Sequence, residues 1–62
     1  MVTGRRFQTL AEAESYLTES GFRLVPGSDW RNDAGDDAGC YAIEDGYYGV
    51  LKGFRVEIRR RP

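Results

Sequence analysis

The densest group of chemistry-bearing side chains in this sequence is a short acidic segment. It supplies carboxylate and amide oxygens from Asp29, Asn32, Asp33, Asp36 and Asp37. Calcium and magnesium prefer such ligands, but an EF-hand loop needs acids or amides at positions one, three and five, glycine at six and glutamate at twelve. No frame of the segment meets that spacing, so we expect no metal and no cofactor. We interpret the segment as a solvated loop, or as an acidic surface that docks on a basic partner by imitating nucleic-acid phosphates. Weak binding of calcium or magnesium is the remaining alternative.

The other candidates for catalysis lack chemical partners in the sequence. Cys40 is the single cysteine, and a nucleophilic thiol needs a base such as histidine, which is absent from the 62 residues. Glu44 and Asp45 are adjacent carboxylates at a predicted turn, where consecutive strand residues point to opposite faces and no cleft encloses them. The sequence therefore predicts a protein that is not an enzyme, with Cys40 as a small buried side chain.

A basic cluster ends the chain, where Arg59, Arg60 and Arg61 follow one another. Guanidinium groups bind phosphates, and aromatic rings that stack on bases are available at Trp30, Tyr41 and Tyr48. Three interpretations stay open for the cluster: a solvated end that protects a sheet edge, a site for nucleic acid, or a site for an acidic protein.

The charges of the chain are segregated although the formal net charge is only −1. The middle, from Asp29 to Asp45, is acidic, and the end, from Lys52 onward, is basic. Blocks of one sign are typical of surfaces that meet a partner or each other, so this asymmetry is the clearest functional signal.

One amphipathic helix is predicted to begin at Leu10. Thr9 and Glu12 have the spacing of a capping box, in which the Thr9 hydroxyl accepts from the Glu12 amide and the Glu12 carboxylate returns to the Thr9 amide. Leu10, Ala13, Tyr16 and Leu17 form the apolar face. Gly21 predicts the end of the helix, and Phe22 follows where a Schellman motif packs a residue back on Leu17.

The rest of the chain has the composition of short antiparallel strands. Residues 22–25 and the neighbourhood of Trp30 predict two short strands. Residues 32–39 predict an exposed loop or a wide hairpin, the most mobile part of the chain, and Asp45-Gly46 a two-residue hairpin turn between residues 40–44 and 47–51. A last strand covers residues 54–60, and Lys52-Gly53 is either a second turn or a bulge within one long strand. A strand over residues 1–6 is a further alternative.

Alternation within these strands predicts a sheet that is apolar on both faces. The face toward the helix would hold Cys40, Ala42, Tyr47, Leu51, Phe54, Val56 and Ile58. The opposite face would hold Tyr41, Ile43, Tyr48 and Val50, with Trp30 at its edge. One helix covers only one face, so we expect this second set to bind a partner, unless the register is shifted by one residue and the faces are exchanged.

These patterns predict a single small α+β domain over residues 1–62, with one N-terminal helix on a three- or four-stranded antiparallel sheet. We expect a cytoplasmic protein, because no export signal, membrane span or disulfide pair is present in the sequence. Its predicted function is to dock on a larger protein or nucleoprotein complex through Asp29, Asp33, Asp36, Asp37, Trp30, Tyr41 and Tyr48. Size and composition are typical of phage or mobile-element inhibitors, anti-CRISPR proteins among them. The alternatives are nucleic-acid binding through Arg59, Arg60 and Arg61, and a structural homodimer.

Overall fold

An antiparallel sheet with one helix on it forms the part of the chain that this computed structural model describes, residues 2–44 and 51–61. The helix is α1 (Leu10–Glu19). The five strands are β1 (Val2–Phe7), β2 (Arg23–Leu24), β3 (Trp30–Arg31), β4 (Asp37–Glu44) and β5 (Leu51–Arg59), in the spatial order β1-β5-β4-β3-β2. The predicted α+β class is confirmed, and the sheet has one strand more than the predicted maximum of four.

Helix α1 begins and ends as its sequence predicts. The Thr9 hydroxyl accepts a hydrogen bond from the Glu12 amide at 3.2 Å and donates one to the Glu12 carboxylate at 3.0 Å, so the carboxylate binds the hydroxyl rather than the predicted Thr9 amide. At the other end the Phe22 amide donates to the Leu17 carbonyl and the Gly21 amide to the Thr18 carbonyl. These two bonds and the positive φ of Gly21, 90°, are the Schellman motif.

We predict that Thr9→Ala lowers the free energy of unfolding by about 1 kcal/mol, because alanine leaves the Glu12 amide without its capping acceptor. Thr18→Ala is the matched control, since the Thr18 hydroxyl donates to a carbonyl within the same helix, at Glu14, and caps nothing. Urea unfolding followed by circular dichroism measures both variants. Equal losses from the two substitutions would show that the cap adds nothing.

The core lies between α1 and the facing side of the sheet. Its buried apolar side chains are Ala13, Leu17, Phe22, Ala38, Val56 and Ile58, and half-buried Phe7, Tyr16, Trp30, Cys40 and Phe54 pack against them. Three residues predicted to lie between the helix and the sheet are instead exposed to solvent: Leu10, Ala42 and Leu51. The helix lies mainly over β5, β1 and β4, so apolar side chains beyond its footprint are not covered.

Gly53 forms a β-bulge within β5. Ile43 pairs with Gly53, whereas Glu44 pairs with Leu51, so Lys52 is the extra residue in the strand. Gly53 has φ 136°, and a Cβ built there would lie 2.6 Å from the Phe7 carbonyl oxygen, which only glycine tolerates. Of the two alternatives for Lys52-Gly53, the bulge within one continuous strand is therefore correct and the turn is wrong.

The β1 strand occupies the edge beside β5, with an uninterrupted register from Val2 opposite Arg59 to Phe7 opposite Phe54. The further alternative of an N-terminal strand is therefore correct. The predicted turn at Asp45-Gly46, and the strand positions of Tyr47, Tyr48 and Val50, lie outside the described residues. Among the described helical residues, no helix has the length and apolarity needed to cross a membrane.

Candidate functional site

The side of the sheet that faces away from α1 is covered by no other described helix or strand, and we call it the open face. Strand alternation and register place on it Arg6 of β1, Arg23 of β2, Arg31 of β3, Asp37, Tyr41 and Ile43 of β4, and Arg55, Glu57 and Arg59 of β5. Within residues 2–44 and 51–61 the predicted apolar second face is therefore a charged face that contains Tyr41 and Ile43.

Arg59 is the centre of a hydrogen-bonded network on the open face. Its Nε donates to Asp37 at 2.7 Å, one terminal nitrogen donates to the Tyr41 hydroxyl at 3.0 Å, and the other donates to Asp29 at 3.1 Å. An isolated surface ion pair contributes only about 0–1 kcal/mol, partly because ordering its side chains costs conformational entropy. In this network the entropy cost of ordering one guanidinium is shared among three hydrogen bonds. The bonds to Tyr41 and Asp37 raise the pKa of Arg59, which only strengthens a charge already present at every physiological pH.

Asp36 anchors the residues after β5. The residue is only 7% exposed, and its carboxylate accepts hydrogen bonds from the Arg60 guanidinium at 3.1 Å, the Asn32 amide group at 3.1 Å and the Arg61 backbone amide at 2.9 Å. The bond from the Arg61 amide, followed by that from Asn32, lowers the pKa of Asp36. The Arg61 side chain donates in turn to the Gly35 carbonyl at 2.9 Å.

The acidic segment and the basic cluster thus bind each other. Of the two alternatives predicted for residues 32–39, the hairpin is the correct one, because β3 and β4 pair on either side of the turn. The turn is tight rather than wide: the Asn32 amide donates to the Asp36 carbonyl and the Gly35 amide to the Asn32 carbonyl. The alternative of an exposed loop is wrong, because Asp36 is buried and β4 begins at Asp37. Among the four aspartates predicted to dock on a partner, Asp33 is the most open, with an 89% exposed side chain paired to Arg23 at 2.9 Å. Because these carboxylates and guanidinium groups pair with each other, the acidic segment and the basic cluster carry less unpaired charge than the sequence suggests.

Tyr41 is held flat against the open face. It is 45% exposed, and its ring passes over Gly39, where a Cβ would come within 2.6 Å of the ring carbon that bears the hydroxyl. The hydroxyl is fixed by Arg59, and the neighbouring strand places Arg55 directly opposite Tyr41. The result is an exposed aromatic ring whose orientation is set before any partner arrives.

Two further arginines continue this row to the edge of the sheet. Arg55 pairs with Arg6 of β1 in register, and the Arg55 guanidinium lies over Gly4, in space that a Cβ would occupy. Arg55 also forms an ion pair with Glu57 at 3.4 Å. In the described part of the chain, the exposed guanidinium groups of Arg6 and Arg31 have no side-chain partner, so they add free positive charge to the open face.

The two remaining aromatic candidates do not join Tyr41. Trp30 pairs with Ala38, a buried residue, so it lies on the helix side and is half-buried against the core. The prediction that Trp30 borders the same face as Tyr41 is wrong. Tyr48 lies outside the described residues.

Cys40 lies half-buried on the helix side, packed against the core. Burial, and then the charge of Glu14, raise the pKa of its thiol, which keeps the thiol protonated and poorly nucleophilic at neutral pH. Among residues 2–44 and 51–61, no three acidic or cysteine side chains converge as a metal would require, and no pocket is enclosed.

The fold and this surface define a small α+β protein with a preorganised, arginine-rich sheet face. Comparison with family models, with curated proteins and with solved structures finds no match. The function of the protein therefore has to be inferred from the chemistry of this surface.

Arg6, Arg31 and Arg55 lie on the open face but were not predicted from the sequence as site residues. Arg55 was visible as the polar member of the alternation with Phe54 and Val56, but the importance of Arg6 depends on β1 being a strand. Arg31 joins the same face only because β3 pairs with β4.

Proposed function

We propose that this chain is a non-enzymatic binding protein that docks on a larger protein or nucleoprotein complex through its open face, with Tyr41 at the centre of the contact. Arg55 and Arg6 extend the contact toward β1. The acidic segment then serves mainly to order the arginines after β5, rather than to imitate phosphates.

The observation that carries this proposal is the fixed geometry of Tyr41. Tyrosine and arginine are enriched at binding hot spots because they bury large areas, and a ring already held in place loses little conformational entropy on binding. Tyr41 lies over Gly39, is hydrogen-bonded to Arg59 and is exposed on a face that α1 does not cover. The exposed side of the Tyr41 ring is therefore available for contact with a partner.

A role as an inhibitor is the form of this activity that we favour. A small protein that binds through a preformed face acts most directly by occupying a surface that its partner uses for something else. Phage or mobile-element inhibitors, including anti-CRISPR proteins, act in this manner, and they stay part of the proposal by analogy of size and composition.

Tyr41→Ala tests the proposal. Tagged protein is used to recover a partner from source lysate, with nuclease and at two salt concentrations, and the purified partner is then titrated with each variant. We expect Tyr41→Ala to weaken binding about 30-fold, the effect of losing roughly 2 kcal/mol at a hot spot.

Leu24→Ala is the control, since Leu24 is 58% exposed but lies on the helix side of the sheet. It should bind the partner as the parent protein does. Circular dichroism establishes that both variants are folded. A folded Tyr41→Ala variant with unchanged affinity would refute the proposed contact.

The arginine excess of the open face favours a second candidate, nucleic acid. Arg6 and Arg31 supply free guanidinium groups at opposite sides of the face, with Tyr41 between them to stack on a base. However, Asp37 and Glu57 interrupt any continuous basic track. A nucleic-acid partner would be favoured over a protein partner if nuclease abolished the recovery of bound material and if the amount recovered fell steeply with salt.

A further inference from the structure

The outer edge of β1 is unpaired along the full six residues of the strand in the described chain. One side of β1 pairs with β5 over six residues, and no described strand lies on the other side. In an antiparallel pair every second residue directs its N–H and C=O away from the partner strand. About three residues of β1 therefore present unpaired backbone donors and acceptors to solvent.

Several devices that usually block a sheet edge are missing from β1. It contains no proline, its register with β5 has no bulge, and residues Val2 to Arg6 are exposed. The opposite edge, β2, has only two residues. Residues 39–44 of β4 extend beyond β3 and are as long as β1, but they contain no arginine and include Glu44, so length and positive charge coincide only at β1 among the described strands.

Positive charge surrounds the β1 edge on both faces. On the helix side, the Arg5 guanidinium lies 5.5 Å from the Phe7 ring centroid and 5.0 Å from that of Tyr16, which holds it beside the strand. On the open face are Arg6 and the Arg55 guanidinium that covers Gly4. An incoming strand alternates its side chains between the same two faces.

We propose that β1 binds an extended acidic segment of a partner protein, which adds to the sheet as a sixth strand with its carboxylates beside Arg6 and Arg55 on the open face and Arg5 on the helix side. Main-chain hydrogen bonds supply affinity, and the three arginines select for acidic sequence. This inference rests on the proposed function, because it assigns the partner's chemistry at the border of the same surface.

A second copy of this chain fits the edge less well. In an antiparallel pair of two β1 strands whose sheets have the same face up, the two-fold axis passes through one residue, which lies opposite its own copy. At least five of the six β1 residues are paired only when that residue is Gly4 or Arg5. The first brings together the two Arg55 guanidinium groups that lie over Gly4, and the second places Arg5 opposite Arg5. Like charges directly opposite are destabilising, so the arginines disfavour the homodimer and attract an acidic segment.

The probe is a capped eight-residue peptide that alternates threonine and glutamate. Two control peptides accompany it: one with glutamine for glutamate, which removes the charge, and one N-methylated at every second amide, which keeps the charge but prevents strand pairing. Two-dimensional NMR of the full chain measures affinity, and hydrogen exchange measures protection. We expect the acidic peptide to shift the β1 amide signals and to protect alternate amides from Val2 to Phe7.

Both control peptides should bind at least tenfold more weakly than the acidic one. Arg6→Gln should weaken the acidic peptide several-fold, whereas Arg31→Gln, an exposed arginine on the same face in β3, should not. Equal binding of the N-methylated peptide, or shifts away from β1, would overturn the proposal. So would β1 protection that appears without peptide and rises with protein concentration, because a second copy would then occupy the edge.

The outcome separates this inference from the proposed function. If Tyr41→Ala loses the recovered partner while Arg6→Gln retains it, and the acidic peptide does not bind, the function stands and the edge proposal fails. If the peptide pairs with β1 but Tyr41→Ala retains the partner, the edge is the contact and the centre of the proposed surface was misplaced.

Discussion

Leu17→Ala should leave little folded protein at 37 °C. Leu17 is fully buried in the same small core cluster as Val56 and Phe22, and it lies in the last turn of α1, where its carbonyl accepts the Phe22 amide. Removing a buried leucine side chain costs about 2–5 kcal/mol through lost burial and the cavity that remains. A domain of this length has a total stability of only about 3–9 kcal/mol, so the loss consumes much or all of it.

Leu10→Ala is the matched control for Leu17→Ala, because Leu10 belongs to the same helix and is 46% exposed. Its loss should be below about 1 kcal/mol, since little apolar area returns to water. Thermal and urea unfolding of the parent and both variants, followed by circular dichroism, make the comparison. Similar losses for the two leucines would mean that α1 does not pack on the sheet by the face described.

The helix could be predicted because its signals are local. Thr9, Glu12, Gly21 and Phe22 act within a few residues of the ends they define, and propensity, capping and spacing agree. The Schellman motif predicted at Gly21 and Phe22 is present, with the Phe22 amide bonded to the Leu17 carbonyl. Leu10 was misassigned because helical spacing identifies a face but not how far the sheet extends beneath it.

The strands at the sheet edge were harder to predict because they depend on distant partners. Residues 2–7 have no strict apolar alternation, and β1 is ordered by pairing with β5, some fifty residues later in the chain. Trp30 was placed on the wrong face for a similar reason. Its orientation is set by pairing with Ala38, and a shift of one residue in that register would reverse it.

The charge segregation of the sequence was informative, but its use could not be deduced from spacing. Opposite poles indicate surfaces that meet a partner or each other. In the structure the two charged segments meet each other, because the sheet register places Arg59 opposite Asp37 and Arg60 donates to Asp36. With the poles joined, the exposed surface that is left to explain is Tyr41 and its neighbouring arginines.

Asp36→Asn should destabilise the protein at pH 7 more than any other single removal of an aspartate charge in the acidic segment. The Asp36 carboxylate accepts bonds from Asn32, Arg60 and the Arg61 amide. An asparagine keeps one acceptor oxygen, but its NH₂ group would face a second donor, and the Arg60 pair loses its charge. We expect Tm to fall by on the order of 10 °C, since hydrogen bonds to charged groups are the stronger ones and small domains respond steeply.

The sign of the pH dependence identifies charge as the cause. The pKa of Asp36 is lowered below its ordinary value of 3.8, so the folded state favours the carboxylate; this stabilisation is fully present above about pH 4 and is lost as pH falls through the lowered pKa. The Tm difference between the parent and Asp36→Asn should therefore be constant from pH 7 to about 5 and shrink below pH 4. Asp33→Asn, at a side chain 89% exposed, should change Tm little throughout. A difference for Asp36→Asn that persists unchanged into acid would assign its effect to shape rather than charge, and no difference at pH 7 would mean that the arginines after β5 are not anchored there.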